Sequence, residues 1–189
     1  MRSVILLMLL TLLSQSFFAV AQRSKASKWE SGMLEKNEKV GIWEYYSYAA
    51  DGEQILAQKY DHTADTMVYF RPDGKEYLAE VQPGIWEMAL LSQPPWCIGG
   101  REALMTYMAK LNYPAQAQNR NVQGQVVISF LVDTLGHVSN HKVVRGIGEG
   151  CDEEALRAAR ETPARWAPGR MGRRAVPVVY ELPFTFRLK

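Results

Sequence analysis

Three histidines, two cysteines and a set of arginines are the side chains whose types could do chemistry. His137 and His141 can share one face of a strand, but four residues at the strand rise separate them by roughly 13 Å, too far for one metal ion. With His62 remote in the chain, a surface role is favoured over ligation and no metal site is expected. The chain has no His-Glu-x-x-His, no Gly-x-Ser-x-Gly and no phosphate-cradling glycine loop, so no catalytic residue and no cofactor are expected. Asp152, Glu153 and Glu154 form an acidic run. It is better read as the start of a helix, where the macrodipole favours acids, than as an acid–base pair. Arg157, Arg160, Arg165, Arg170, Arg173 and Arg174 could hold a carboxylate or phosphate polymer. A solvated helix-and-loop face is the favoured alternative. Cys97 and Cys151 are the only cysteines. A disulfide between them would close a loop of about 55 residues and contribute roughly 4 kcal/mol if unstrained. The sequence does not place their Cβ atoms, so the pairing stays open.

The formal net charge of +2 supplies no field to draw the chain to nucleic acid. A hydrophobic content of 47% fits a packed protein and not a disordered one.

The elements that must position these groups begin after an export signal. Met1-Arg2, the apolar run Val4 to Leu13 and the small-x-small Ala19-Val20-Ala21 read as a secretory signal peptide over residues 1–21, cleaved after Ala21. An uncleaved inner-membrane anchor is the competing reading, although Ser14, Gln15 and Ser16 interrupt the run well short of the ~20 apolar residues of a spanning helix. Neither cysteine lies near this signal, so no lipid anchor is expected there. About 168 residues then remain, enough for one domain or two small ones.

Residues 28–81 read as a small aromatic β-hairpin module. Lys39 to Tyr46 leads through Asp51-Gly52 to Gln54–Tyr60, and Thr66–Arg71 through Pro72-Asp73-Gly74 to Lys75–Val81, two hairpins with Asp-Gly turns. Trp43, Tyr45, Tyr46 and Tyr48 could form a binding face for peptide or glycan, but alternate aromatics packing the hairpin is the favoured reading. Residues 82–97, bracketed by Gln82-Pro83-Gly84 and Gln93-Pro94-Pro95, read as a linker to a second domain at 98–189.

In that domain Gly99-Gly100 opens a helix from about Arg101 to Leu111, with Ala103, Leu104, Tyr107, Met108 and Leu111 as its apolar stripe, ended by Tyr113-Pro114. Val126, Ile128, Phe130 and Val132 alternate with Val127, Ser129, Leu131 and Asp133, a strand buried mainly on one face. Asp133-Thr134-Leu135-Gly136 turns it into a second strand through Val138 to Val144, with glycine where positive φ is cheap. A helix from Asp152, buried on Ala155, Leu156, Ala159 and Thr162, stops at Pro163. The last strand, Val176 to Leu188, has an apolar even face, while Pro177 and Pro183 fall at odd positions. Both prolines remove donors from one edge, which should therefore be unpaired. The expected fold is α+β, two helices on a three-stranded antiparallel sheet of order 2-1-3.

Several of these motifs together resemble the TonB C-terminal domain family. They are Gly99-Gly100-Arg101-Glu102-Ala103-Leu104, Tyr113-Pro114-x-x-Ala117, Gly124 through Val138 with its alternating strand and Gly136, Asp152-x-Glu154-Ala155-Leu156-Arg157, Trp166-x-Pro168-Gly169 and Val178 to Phe186. The stretch Gly41-x-Trp43-x-Tyr45-Tyr46 resembles, over about 25 residues, one unit of MORN-like repeats. The TonB resemblance implies an α/β sandwich and a protein that binds TonB-dependent outer-membrane receptors or other envelope proteins. By it, an extended guest peptide would add along the last strand at Val176, Val178, Val179, Tyr180 and Glu181, close to Asn112, Tyr113 and Pro114. An energy transducer for transmembrane transport would also engage the ExbB–ExbD motor. The cleavage pattern and the absence of a long proline-rich tether here argue instead for a periplasmic binding module. Pairing of two copies through exposed edges is left open.

Overall fold

The computed structural model describes residues 22–161 and 165–188, without the side chain of Tyr107. The expected signal segment and the helix end at Thr162 and Pro163 lie outside them.

The first sheet is a five-stranded antiparallel meander of β1 (Gln22–Ala26), β2 (Glu30–Glu35), β3 (Glu38–Tyr48), β4 (Gln54–Asp61) and β5 (Thr66–Phe70). Its tightest turn uses Lys36 and Asn37, both at positive φ, which matches the twist of the flanking strands. Trp43 and Tyr45 are buried with Leu34 and Tyr60 on the face that meets the rest of the chain. Packing, not a sugar- or peptide-binding face, accounts for these two rings. Tyr48 stays on the surface with its ring edge-on to Trp29.

The second sheet also has five strands. β6 (Glu76–Gln82) and β7 (Ile85–Leu90) form a hairpin over Pro83-Gly84. After β8 (Trp96–Cys97), α1 (Gly100–Met108) and the short α2 (Ala115–Asn119) come β9 (Gly124–Val132), β10 (Val138–Arg145) and α3 (Cys151–Arg160). Then β11 (Trp166–Ala167) pairs with β8, β12 (Gly169–Met171) pairs with β13 (Arg174–Val176), and β14 (Val178–Phe186) follows. The order is β10-β9-β14-β6-β7, every neighbour antiparallel.

This differs from the expected fold. The sheet is five-stranded and not three-stranded, and the described helices number three and not two, because Ala115–Asn119 makes a short helix of its own. The strands are also grouped differently from the boundaries 28–81 and 82–97. β5 and β6 do not pair across Asp73-Gly74; β6 and β7 leave the first sheet and extend the second. Asp73 folds its own loop instead, accepting the Lys75 amide and the Tyr77 hydroxyl.

Val126, Ile128, Phe130 and Val132 of β9 and Val178, Leu182, Phe184 and Phe186 of β14 supply the core. Ala155, Ala158 and Ala159 of α3 are buried, and their small side chains let the helix lie close on the sheet. The two sheets meet around Trp96. The Tyr45 ring stands edge-on to Trp96 at 4.6 Å, Gly100 leaves room for that tyrosine, and Glu102 accepts from Ser27 (2.8 Å) and Lys25 (3.3 Å). Asp65 pairs with Arg165 across the same junction.

His62 lies inside this junction, bonded through Nε2 to the Tyr45 hydroxyl at 2.7 Å. Burial, then the neighbouring Lys39 and Arg165, push its pKa down to about 4. The unfolded chain therefore binds a proton at this ring between about pH 4 and 6.5 that the folded chain refuses. Stability is expected to rise with pH across that window. His62→Gln should flatten the slope measured by urea denaturation at a series of pH values, leaving the part due to His141, whose pKa burial also lowers, and at the acid end that of carboxylates such as Glu154, held low by Arg157.

Candidate functional site

The residues expected to capture a peptide do not form one site. Val176 and Val178 are fully buried, and Val178 and Val179 pair on one side with β9 and on the other with Ala79 and Leu78 of β6. The Glu80 amide donates to the Pro177 carbonyl at 2.9 Å, so the odd-numbered backbone groups do point to the outer side of β14. That side is occupied there, not unpaired. β6 needs only a short ladder, and it stops before Pro183 would deny it a donor. Tyr180 turns to the core side, near-parallel to Tyr77 with centroids 6.3 Å apart.

Asn112, Tyr113 and Pro114 sit at the opposite end of β14. The Asn112 amide donates to Glu154 at 2.7 Å, Pro114 caps α2, and Tyr113 stands edge-on to Phe186 at 5.6 Å while its hydroxyl donates to the Val122 carbonyl. Six strand residues, about 20 Å, separate Phe186 from Tyr180. Of the three, Tyr113 lines a different groove, of 500 Å³, with Met108, Leu111, Thr185 and Leu188.

Cys97 and Cys151 are both free thiols in the structure. Both thiols are buried in the core, and burial pushes Cys97 up to about 12 and raises Cys151, so neither is a ready nucleophile. The arginines do not gather either. Arg157 pairs with Glu154 and Glu161, Arg165 with Asp65, and Arg170 and Arg174 donate to the Arg173 and Val81 carbonyls. Among the described residues no group of three or more His, Cys, Asp or Glu could hold a metal ion, and no helix is long and apolar enough to cross a membrane. His137 is tied to Asp133 in the β9–β10 turn.

What the second sheet leaves bare is the face away from the helices. The pairings place Trp86, Met88 and Leu90 of β7 opposite Glu80, Leu78 and Glu76 of β6, and Leu78 opposite Val179 of β14. Leu78 is 37%, Trp86 39%, Met88 58% and Leu90 63% exposed. Two adjoining grooves cross this face. One, of 420 Å³, runs between Trp86 and Val144; the other, of 460 Å³, lies over Tyr77 and Met88; Leu78, Val179 and Glu181 line both. Val179 and Glu181 thus lie at a surface feature, but through side chains and not through a free backbone edge.

Among the described residues β7 ends the sheet, and no strand pairs with its outer edge. Folded proteins usually guard such an edge with bulges, prolines or lysines. The opposite edge, β10, is interrupted twice, with Asn140 at positive φ. In the first sheet, β1 carries Arg23 and Lys25 and the β4–β5 pairing is bulged. β7, Ile85-Trp86-Glu87-Met88-Ala89-Leu90, has no break in its inner ladder between Glu76 and Glu80, no proline and one charge. Its sequence signal is the two-residue Pro83-Gly84 turn with apolar residues at 86, 88 and 90, hidden by the neighbouring Pro94-Pro95.

Comparison with known proteins adds a family signal. Residues 109–188 match the model of the Gram-negative bacterial TonB protein C-terminal. Among solved structures, the NMR structure of the Helicobacter pylori TonB C-terminal domain is similar at 22% identity, over 47% of this chain and 81% of that one, with a TM-score of 0.32. No curated protein matches the sequence.

Proposed function

We propose that this chain is a periplasmic protein-binding module of the TonB C-terminal type, not an enzyme. It takes an extended segment of an outer-membrane receptor or other envelope protein as an added strand. The observation that carries this reading is the unguarded edge of β7 beside an apolar, uncovered sheet face. Main-chain bonds to β7 supply affinity, and pockets for alternate side chains supply selection. The match of residues 109–188 supports the partner class. Relative to a three-stranded sheet, the β6–β7 hairpin covers part of the last strand and offers a new edge two strands further out. The guest therefore lies on β7, with Val179 and Glu181 on the face next to it. Export rests on the signal pattern of residues 1–21, and N-terminal sequencing of the protein from an expressing cell should begin at Gln22.

The test is amide hydrogen exchange with synthetic peptides spanning the periplasmic N-terminal segments of outer-membrane receptors. Protection at residues 85–90 is expected, together with an affinity loss of tenfold or more in Met88→Asp, a change at an exposed position that spares the core. Protection confined to residues 181–185 of β14, or an unaffected Met88→Asp, would overturn the assignment.

A further inference from the structure

The two faces of β7 differ in chemistry, and an added strand must satisfy both. Successive guest residues point to opposite faces of the sheet. On the open face they meet Trp86, Met88 and Leu90, and on the other they pass Glu87 and Ala89. The open face then continues inward to Glu76 and Glu80 on β6 and Glu181 on β14. Among the described residues none of these four carboxylates has an ion-pair partner. One oxygen of Glu80 accepts the Gly84 amide. The cations close by are Lys75, beside Glu76, and Arg174, whose guanidinium donates to the Val81 carbonyl; Lys142 lies on the far side of the groove near Val144. The open face thus sets three of these carboxylates behind an apolar rim, while Glu87, the one charge that β7 carries, stands on the opposite face.

We infer that the guest strand at β7 alternates apolar with basic residues, its apolar set against Trp86, Met88 and Leu90 on the open face and its cations against Glu87 on the opposite one. This rests on the strand-capture reading above and specifies the partner's chemistry. Opposite charges facing across antiparallel strands stabilise the pair, and like charges there destabilise it. An acidic guest would bring its carboxylates against Glu87 and lose affinity.

Two synthetic probe peptides of about nine residues test this, one alternating valine with lysine and one alternating valine with glutamate. Anisotropy of the labelled peptides and exchange at residues 85–90 are read together. The lysine peptide is expected to bind about tenfold more tightly than the glutamate peptide, the preference shrinking from about 50 mM to about 500 mM salt. Glu87→Lys, an exposed change, is expected to abolish or reverse it. Equal binding of both peptides with protection at 85–90 overturns the charge inference and leaves strand capture standing. No protection at 85–90 by either probe or by receptor peptides overturns both. Concentration-dependent self-association lost in Met88→Asp assigns the edge to a second copy and overturns the inference.

Discussion

Gly136→Ala is expected to destabilise the protein by about 4 kcal/mol, lowering its melting temperature by roughly 8–16 °C. Two costs add. Gly136 has φ of 84°, a conformation that costs an alanine about 1–2 kcal/mol. In addition, a Cβ at this position would overlap the Trp166 carbonyl oxygen. Neither side can give way easily. The turn is pinned because Asp133 Oδ1 accepts the Leu135 and His137 amides, both at 2.8 Å, while the Gly136 amide donates to the Asp133 carbonyl. Trp166 is pinned by its pairing with Cys97 and by packing against Phe130 and Tyr180, with ring centroids 5.2 and 5.0 Å away. Gly148→Ala is the control. Gly148 has φ of 74°, but nothing lies within 4 Å of the Cβ site, so it should lose only about 1–2 kcal/mol. Equal urea midpoints for the two variants would remove the close approach as a cause.

The second large effect is expected at Glu30, which is 1% exposed. Its carboxylate takes Lys25 at 2.8 Å and Lys39 at 2.5 Å. Lys39 stands 4.3 Å above the Trp43 ring centroid, and burial, only partly offset by Glu30, lowers its pKa. Glu30→Ala leaves that ammonium without its counter-charge among aromatic rings, and a loss of about 3–4 kcal/mol is expected. Lys25→Ala should cost under about 1 kcal/mol, because Lys25 is largely exposed. Combining Glu30→Leu with Lys39→Met is expected to recover most of the loss, since it removes the buried charges together. A double-mutant cycle by chemical denaturation measures the coupling. Additive effects at Glu30 and Lys39 would show that the pair is not what holds β2 to β3.

How far the chain could be read without its tertiary structure differs from element to element. The β9–β10 hairpin was readable because its period-two burial and its Asp133–Gly136 turn are both local. The faces of β14 followed from the same period. The direction of its odd-numbered backbone groups followed from Pro177 and Pro183, and the Glu80–Pro177 bond runs on that side. Prolines mark where donors are missing, however, and say nothing of whether a neighbour needs them. β6 occupies the edge through Val178 and Val179 alone.

The sequence by itself determined the alternation that builds β9 and β14, the acidic start of α3 and the need for glycine at 136. Each depends on residues a few positions apart, where backbone geometry leaves little choice. Only the tertiary structure decided that β6 and β7 join the second sheet, that Cys97 and Cys151 are buried as free thiols, and that the open edge is Ile85–Leu90. Those outcomes rest on contacts such as Ala79 with Val178, about 100 residues apart along the chain. A strand's own pattern specifies which face it buries, but its choice of neighbour is settled by which partner excludes the most water when the whole chain packs.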